Sequence, residues 1–294
     1  MVLVTGATGF VGSHLVKGLS AAGFKVRALV RDSKSSEGIE GPGVEVAVGD
    51  VTKPGTVAEV CSGCSSVIHL VGIIQEGPGY TFKSIHVDGT RNIIEAARRA
   101  GTVRHFIYQS ALGARTGART AYHRTKYEAE ELTRGSGLNF SITRPSIIYG
   151  KGDGFTAKLI DIIRKGPVVP VPGPVKARTQ PVFIGDLVEV FIKILENPAW
   201  FGRTIEVGGP EELTLDEINL ALMDALGIKK PLVHVPLSIM KPAAAVMEKI
   251  LSRPPVTTDQ LIMLEEGNTC PLKDMHELGI NPIPFRQGLT RFLP

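Results

Sequence analysis

The first fifteen residues run from a short apolar stretch, Met1-Val2-Leu3-Val4-Thr5, into Gly6-Ala7-Thr8-Gly9-Phe10-Val11-Gly12-Ser13-His14-Leu15. Three glycines at this spacing, set between a strand and a helix, fix the local path of the chain. Gly6 permits a tight turn, Gly9 leaves the backbone open to a ligand, and Gly12 lets the helix pack close to the strand. The helix start then offers unpaired N–H groups and the positive end of its dipole. A dinucleotide pyrophosphate fits this arrangement. The other common phosphate loop ends in Gly-Lys-Ser/Thr, which Gly12-Ser13-His14 does not supply.

Behind the turn, strand-like runs alternate with helical ones, the pattern of a parallel sheet covered on both faces. Strands are expected at 2–5, 25–30, 44–48, 67–71, 105–109 and 140–143, with helices at 10–22, about 80–100 and about 121–135. Six parallel strands make a doubly wound α/β sheet of the Rossmann type, whose ligand crevice lies outside the C-terminal strand ends. Past Gly150 the texture changes, with four prolines between Gly166 and Pro174. We therefore expect a dinucleotide-binding domain over 1–150 and a smaller C-terminal substrate lobe over 151–294, with 176–198 returning to the first domain. Thr214-Leu215-Asp216-Glu217 is a capping box that starts a helix. The stretch 236–251 reads as an apolar helix. It either packs within its lobe or forms a substrate wall or membrane-surface contact.

Composition narrows the classes. With 33 Lys/Arg against 29 Asp/Glu and no basic run of five, a nucleic-acid partner is not expected. No run approaches the roughly 20 apolar residues of a membrane span. Nor does the N-terminus resemble a secretory leader, so a cytoplasmic protein is expected. Three cysteines make no disulfide framework, and Cys61 and Cys64 lack the second pair that a zinc site needs. They read as reduced structural thiols, and no metal is expected.

Two further clusters carry chemistry. About 20 residues beyond the glycines, the second strand ends in Arg31, followed by Asp32, Ser33, Lys34, Ser35 and Ser36. A guanidinium there can grip a 2′-phosphate, which favours NADP(H), while Asp32 keeps NAD(H) open. Asp50, after the third strand, is placed either to accept from the adenine amino group or to cap a turn. Tyr122 and Lys126 stand four apart on one helical face. An ammonium within a turn of the phenol and the positive nicotinamide favour phenolate, and Tyr122 could then move a proton while hydride passes to or from the nicotinamide.

These segments, together with Arg144-Pro145-Ser146-Ile147-Ile148-Tyr149-Gly150, resemble the short-chain dehydrogenase/reductases in their extended or atypical branch of epimerases and dehydratases. Gln180 to Leu187, Gly208 to Leu215 and His69 to Ile74 are similar to bacterial relatives of the nucleotide-binding accessory subunit of respiratory complex I. The resemblance implies NAD(P)H held along Gly6, Thr8, Gly9, Phe10, Val11 and Gly12, then by Arg31, Asp50, Val51, Leu70, Val71, Gly72 and Pro145. It makes Tyr122 and Lys126 the acid/base and cofactor clamp. The hydroxyl that polarises a carbonyl falls to Ser110, or is missing if Ala111 holds that position. His86 stands where the extended branch often has Asn, as a site residue or a buried, hydrogen-bonded one. Two functions follow: an oxidoreductase or epimerase-like enzyme acting on an unknown small molecule, or a non-catalytic NADP(H)-binding module for assembly or redox sensing. A protein partner or homo-oligomer suits the second.

Overall fold

The structure is a computed structural model that describes residues 1–294 except 33, 35–37, 40, 174–175, 252–253 and 294. Ser33, Ser35 and Ser36, expected beside a 2′-phosphate, lie outside the described residues. In chain order the elements are β1 (Val2–Thr5), α1 (Phe10–Ala21), β2 (Val26–Val30), β3 (Val44–Val48), α2 (Pro54–Val57), β4 (Ser66–His69), a π-helix (Lys83–Asp88) and α3 (Gly89–Ala100). They continue with β5 (His105–Gln109), α4 (Ala121–Arg134), β6 (Phe140–Pro145), β7 (Ile148–Tyr149), α5 (Gly154–Lys165), β8 (Val169–Pro172), β9 (Val182–Phe183), α6 (Ile184–Glu196) and β10 (Arg203–Val207). The last are α7 (Leu215–Ala225), β11 (Leu232–Val235), α8 (Leu237–Ile250), α9 (Thr258–Glu266), α10 (Lys273–Glu277) and α11 (Phe285–Leu289).

Two compact units emerge, Met1–Arg144 with Leu187–Ile205, and Pro145–Asp186 with Glu206–Pro294. The first is organised by a seven-stranded sheet in the order β10-β6-β5-β4-β1-β2-β3. The six expected strands are present, and β10 adds a seventh at the β6 edge. From β1 the chain first builds β2 and β3 on one side, then returns to build β4, β5 and β6 on the other. The strand order therefore reverses between β1 and β4, whose register pairs Thr5 with His69. Their C-terminal ends frame the place where such sheets bind ligands.

Burial explains the sheet. β1 is buried along its whole length and β5 through Tyr108, as strands covered on both faces must be. Leu3, Val67, Ile93, Phe106, Tyr108 and Ile142 pack in one cluster with Cys61 and Cys64. Burial pushes the Cys61 thiol up to about 12, which makes it inert at neutral pH. Gly18 gives α1 a flat contact with α6, since a Cβ there would lie 2.4 Å from Val188 Cγ1. The expected helix over 80–100 is divided into a π-helical turn and α3. The second unit has its own core of Tyr149, Ile163, Leu222, Phe285 and neighbours, and the Thr214–Glu217 capping box starts α7.

Candidate active site

The glycine turn is built as its spacing predicts. Gly6 has φ +72°, a left-handed conformation that other residues enter at a cost. A Cβ on Gly12 would lie 2.1 Å from the Gly6 carbonyl oxygen, and one on Gly6 would lie 3.2 Å from the Val71 nitrogen. The turn therefore lies against Leu70 and Val71. Gly9 caps α1 without a side-chain hydrogen bond, and no acid occupies the first helical turn. Thr8 and Gly9 are exposed, Phe10 and Val11 half-buried. An uncapped helix start with glycine at its approach is what a pyrophosphate requires.

Arg31 lies at the exposed end of β2, with its guanidinium 5.6 Å from the centre of the Tyr80 ring. Asp32 and Lys34 are exposed beside it. Asp50 follows β3, and its Oδ1 accepts from the Thr52 amide at 2.9 Å and the Thr52 hydroxyl at 2.8 Å. Of the two roles considered for this carboxylate, turn capping is the one it performs in the ligand-free chain. Val51 is buried, with its carbonyl accepting from Asn92 Nδ2 at 2.7 Å. Pro145 is buried at the end of β6.

The remaining site groups converge on α4, whose N-cap Thr120 accepts from the His123 amide. Lys126 is buried, and its Nζ donates to the Gln109 carbonyl at 2.5 Å while lying 4.4 Å from the centre of the Tyr108 ring. A Cβ on Gly72 would be 3.7 Å from that nitrogen and 3.5 Å from His86 Nε2. Lys126 thus links the ends of β4 and β5. Burial brings it down to about 7, opposed by the nearby Glu130 carboxylate. The same cause raises Tyr122 to about 12. Burial thus favours the neutral phenol, while the expectation of a phenolate rests on the Lys126 ammonium and the positive nicotinamide.

Ser110 follows Gln109 and is buried, and its Oγ has no hydrogen-bond partner among the described residues. A hydroxyl left unpaired in this way is a group available to a ligand. Ala111 is also buried and offers nothing polar.

His86 is held by a complete network. Thr125 Oγ1 donates to the Ala121 carbonyl, so it accepts from His86 Nδ1 at 2.9 Å. That assignment leaves Nε2 to accept from the Ile73 amide at 3.1 Å. The ring lies edge-on to Tyr122 at 5.5 Å and stacks on Phe82. Burial and the Lys126 charge hold it down at about 2, hence neutral. A second chain of bonds lies beneath: Thr5 to His69 Nδ1 at 2.6 Å, His69 Nε2 to Thr90 at 3.1 Å, and Thr90 to the His86 carbonyl at 2.5 Å. Sequence reasoning missed Thr125, Thr90, the Gln109 carbonyl and Tyr80. Thr125, inside the Tyr122–Lys126 interval, is the one that a helical-face argument could have found.

A family of NAD(P)H-binding proteins matches residues 6–163, more than half of the chain. This chain belongs to that family. The NAD(P)H-binding protein is 30% identical to the ceramide reductase of Caulobacter vibrioides, over 80% of this chain and 74% of that one. It is 26% identical to the mitochondrial NADH dehydrogenase [ubiquinone] 1 alpha subcomplex subunit 9 of Dictyostelium discoideum, over 98% and 82%. An NADPH-dependent quinone oxidoreductase complexed with NADPH, from Escherichia coli, shares the fold at a TM-score of 0.79 and 17% identity, covering 99% of both chains. The chain is thus an NAD(P)H-binding protein of oxidoreductase- or epimerase-like type, and a UDP-glucose 4-epimerase of Thermus thermophilus in complex with NAD shares its fold at a TM-score of 0.75 and 22% identity.

Proposed function

We propose that this NAD(P)H-binding protein interconverts a carbonyl and an alcohol on an apolar, lipid-like molecule, with NADP(H) as its cofactor. The observation that carries the reading is the buried Lys126, one turn from Tyr122 and hydrogen-bonded next to the unpaired Ser110 hydroxyl. A reduced nicotinamide supplies a hydride when bound. Gly6, Gly9 and Gly12 with the start of α1 would hold the pyrophosphate, Thr8, Phe10 and Val11 would line it, and Leu70, Val71 and Gly72 would flank it. Asp50, Val51 and Pro145 would complete the binding surface. A neutral Tyr122 is in the form needed to give its proton to a carbonyl oxygen as the carbon is reduced. Ser110 would donate a hydrogen bond to that oxygen, and Lys126 would hold the phenol and the cofactor ribose. Arg31, aligned over Tyr80, supports a 2′-phosphate, and the similarity to a ceramide reductase supports a lipid-like substrate.

Purified protein given NADPH and long-chain ketones should consume the cofactor, and Tyr122→Phe should lower kcat at least 100-fold with NADPH affinity within about threefold of the parent. Equal turnover in the variant would overturn the assignment. A second reading, an NADP(H)-holding module without turnover, is favoured by the match to a complex I subunit over nearly the whole chain. Cofactor that co-purifies and exchanges slowly, with no carbonyl reduced, would select it.

A further inference from the structure

Two polar side chains of α8, Lys241 and Glu248, are drawn toward its neighbour α9. Lys241 Nζ bonds Glu265 Oε1 at 2.7 Å, and the Glu248 carboxylate accepts from the Thr258 amide at 2.5 Å and the Thr258 hydroxyl at 3.3 Å. Several of its apolar ones are left outside. Ile239, Ala243, Val246 and Ile250 recur at intervals of four, three and four residues, which places them in one stripe. All four are exposed, Ile239 at 62%, Val246 at 56% and Ile250 at 74%. Of the helix only Ala244 is buried. Leu237, Met240, Ala244 and Met247 are half-buried or buried, so the stripe is a second apolar face where a surface helix ordinarily carries polar residues.

Charge identifies what covers the stripe. Residues 229–253 contain Lys229, Lys230, Lys241, Lys249 and Arg253 against the single acid Glu248. The rest of the chain is balanced by count, and although Lys241 is paired with Glu265, Lys229 and Lys249 are exposed. Lys249, exposed, flanks it directly. Among the described residues no helix is long and apolar enough to cross a membrane.

We propose that α8 docks this protein on the surface of an anionic phospholipid bilayer, with Ile239, Val246 and Ile250 in the interfacial layer and the exposed Lys229 and Lys249 on lipid phosphates. A second copy is a poorer occupant, because it would bring two identical positive segments together. The proposal is independent of whether the bound cofactor turns over.

The test is co-sedimentation of the full chain with vesicles of phosphatidylglycerol and phosphatidylcholine in equal parts, against pure phosphatidylcholine, in 0.1 and 0.5 M salt. Binding should be at least tenfold stronger to the anionic vesicles, and it should weaken at high salt. The variant Ile239→Ser/Val246→Ser/Ile250→Ser should bind at least tenfold less, with an unchanged thermal shift from NADPH to show that it is folded. Lys229→Gln/Lys249→Gln, which touches no apolar residue, should weaken binding at low salt. Parent protein left in the supernatant with anionic vesicles would overturn the proposal. So would a folded serine variant that binds like the parent, or a dimer that this variant dissociates without any vesicle binding.

Discussion

Lys126 offers a measurement of the site that needs no substrate. Its ammonium is buried beside the Tyr108 ring and brought from 10.5 to about 7 by desolvation. In the unfolded chain the same lysine titrates near 10.5, so between pH 7 and 10.5 the unfolded state binds the extra proton. Stability must then rise with pH across that window and be least where both states are protonated, below about 7. Each tenfold difference in proton affinity between the folded and unfolded states is worth about 1.36 kcal/mol. From pH 7.0 to 8.5 the folded lysine passes from half to almost fully deprotonated, which gives this group a gain of about 1–2 kcal/mol in the cofactor-free protein. Other groups titrate too: Cys61, held up at about 12, contributes with the opposite sign once the unfolded thiol ionises near 9. The comparison is therefore with Lys126→Met, which keeps an unbranched stem but has no proton to lose. Urea unfolding of both proteins at several pH values from 7.0 to 8.5 should show the stability of the parent climbing relative to the variant. A difference that is flat with pH, or that runs the other way, would mean that Lys126 is solvated and charged, and the reasoning from its burial would fail.

Gly12→Ala should destabilise the fold by about 1–3 kcal/mol and weaken nucleotide binding at least tenfold, because the added Cβ meets backbone that cannot swing aside; thermal unfolding and NADPH titration read both, and parental values would refute the packing role. Arg31→Ala should cost at least tenfold in affinity for NADPH and less than twofold for NADH, measured by isothermal titration. Equal losses would show that the guanidinium does not discriminate the 2′-phosphate. Glu130 is fully buried between Arg144, at 2.6 and 2.8 Å, and Arg134 at 2.9 Å, so Glu130→Ala should destabilise by about 3 kcal/mol by leaving two guanidinium groups without their shared carboxylate. A change below about 1 kcal/mol in denaturant unfolding would contradict that.

The parts legible in the sequence were those set by local constraint. Gly6, Gly9 and Gly12 announce a turn because few other residues fit it, and the buried runs at Val2–Thr5 and His105–Gln109 announce parallel strands. Arg203–Val207 also alternates as a strand should, yet its partner β6 lies far back in the chain, and nothing local says that it joins the same sheet. The ionisation of Tyr122 escapes the sequence for a related reason. Spacing shows that Lys126 is near, but desolvation is a property of everything that surrounds both groups. His86 could be singled out by the resemblance, as the residue standing where Asn is often found, whereas the groups that satisfy it, Ile73 and Thr125, come from two other segments.

The π-helical turn at Lys83–Asp88 gives its helix two independent settings. Beyond it, α3 turns Ile93, Ile94 and Ala97 into the core at the ordinary pitch. Within it, the extra residue in the turn rotates Phe82 and His86 onto Tyr122 without disturbing that register. Removing one residue from 83–88 would turn Phe82 by about a quarter of a turn relative to α3 and would take Ile85, His86 and Val87 out of their buried places. The wall beside Tyr122 is therefore tied to the core by the same turn that aims it, through buried Ile85, His86 and Val87.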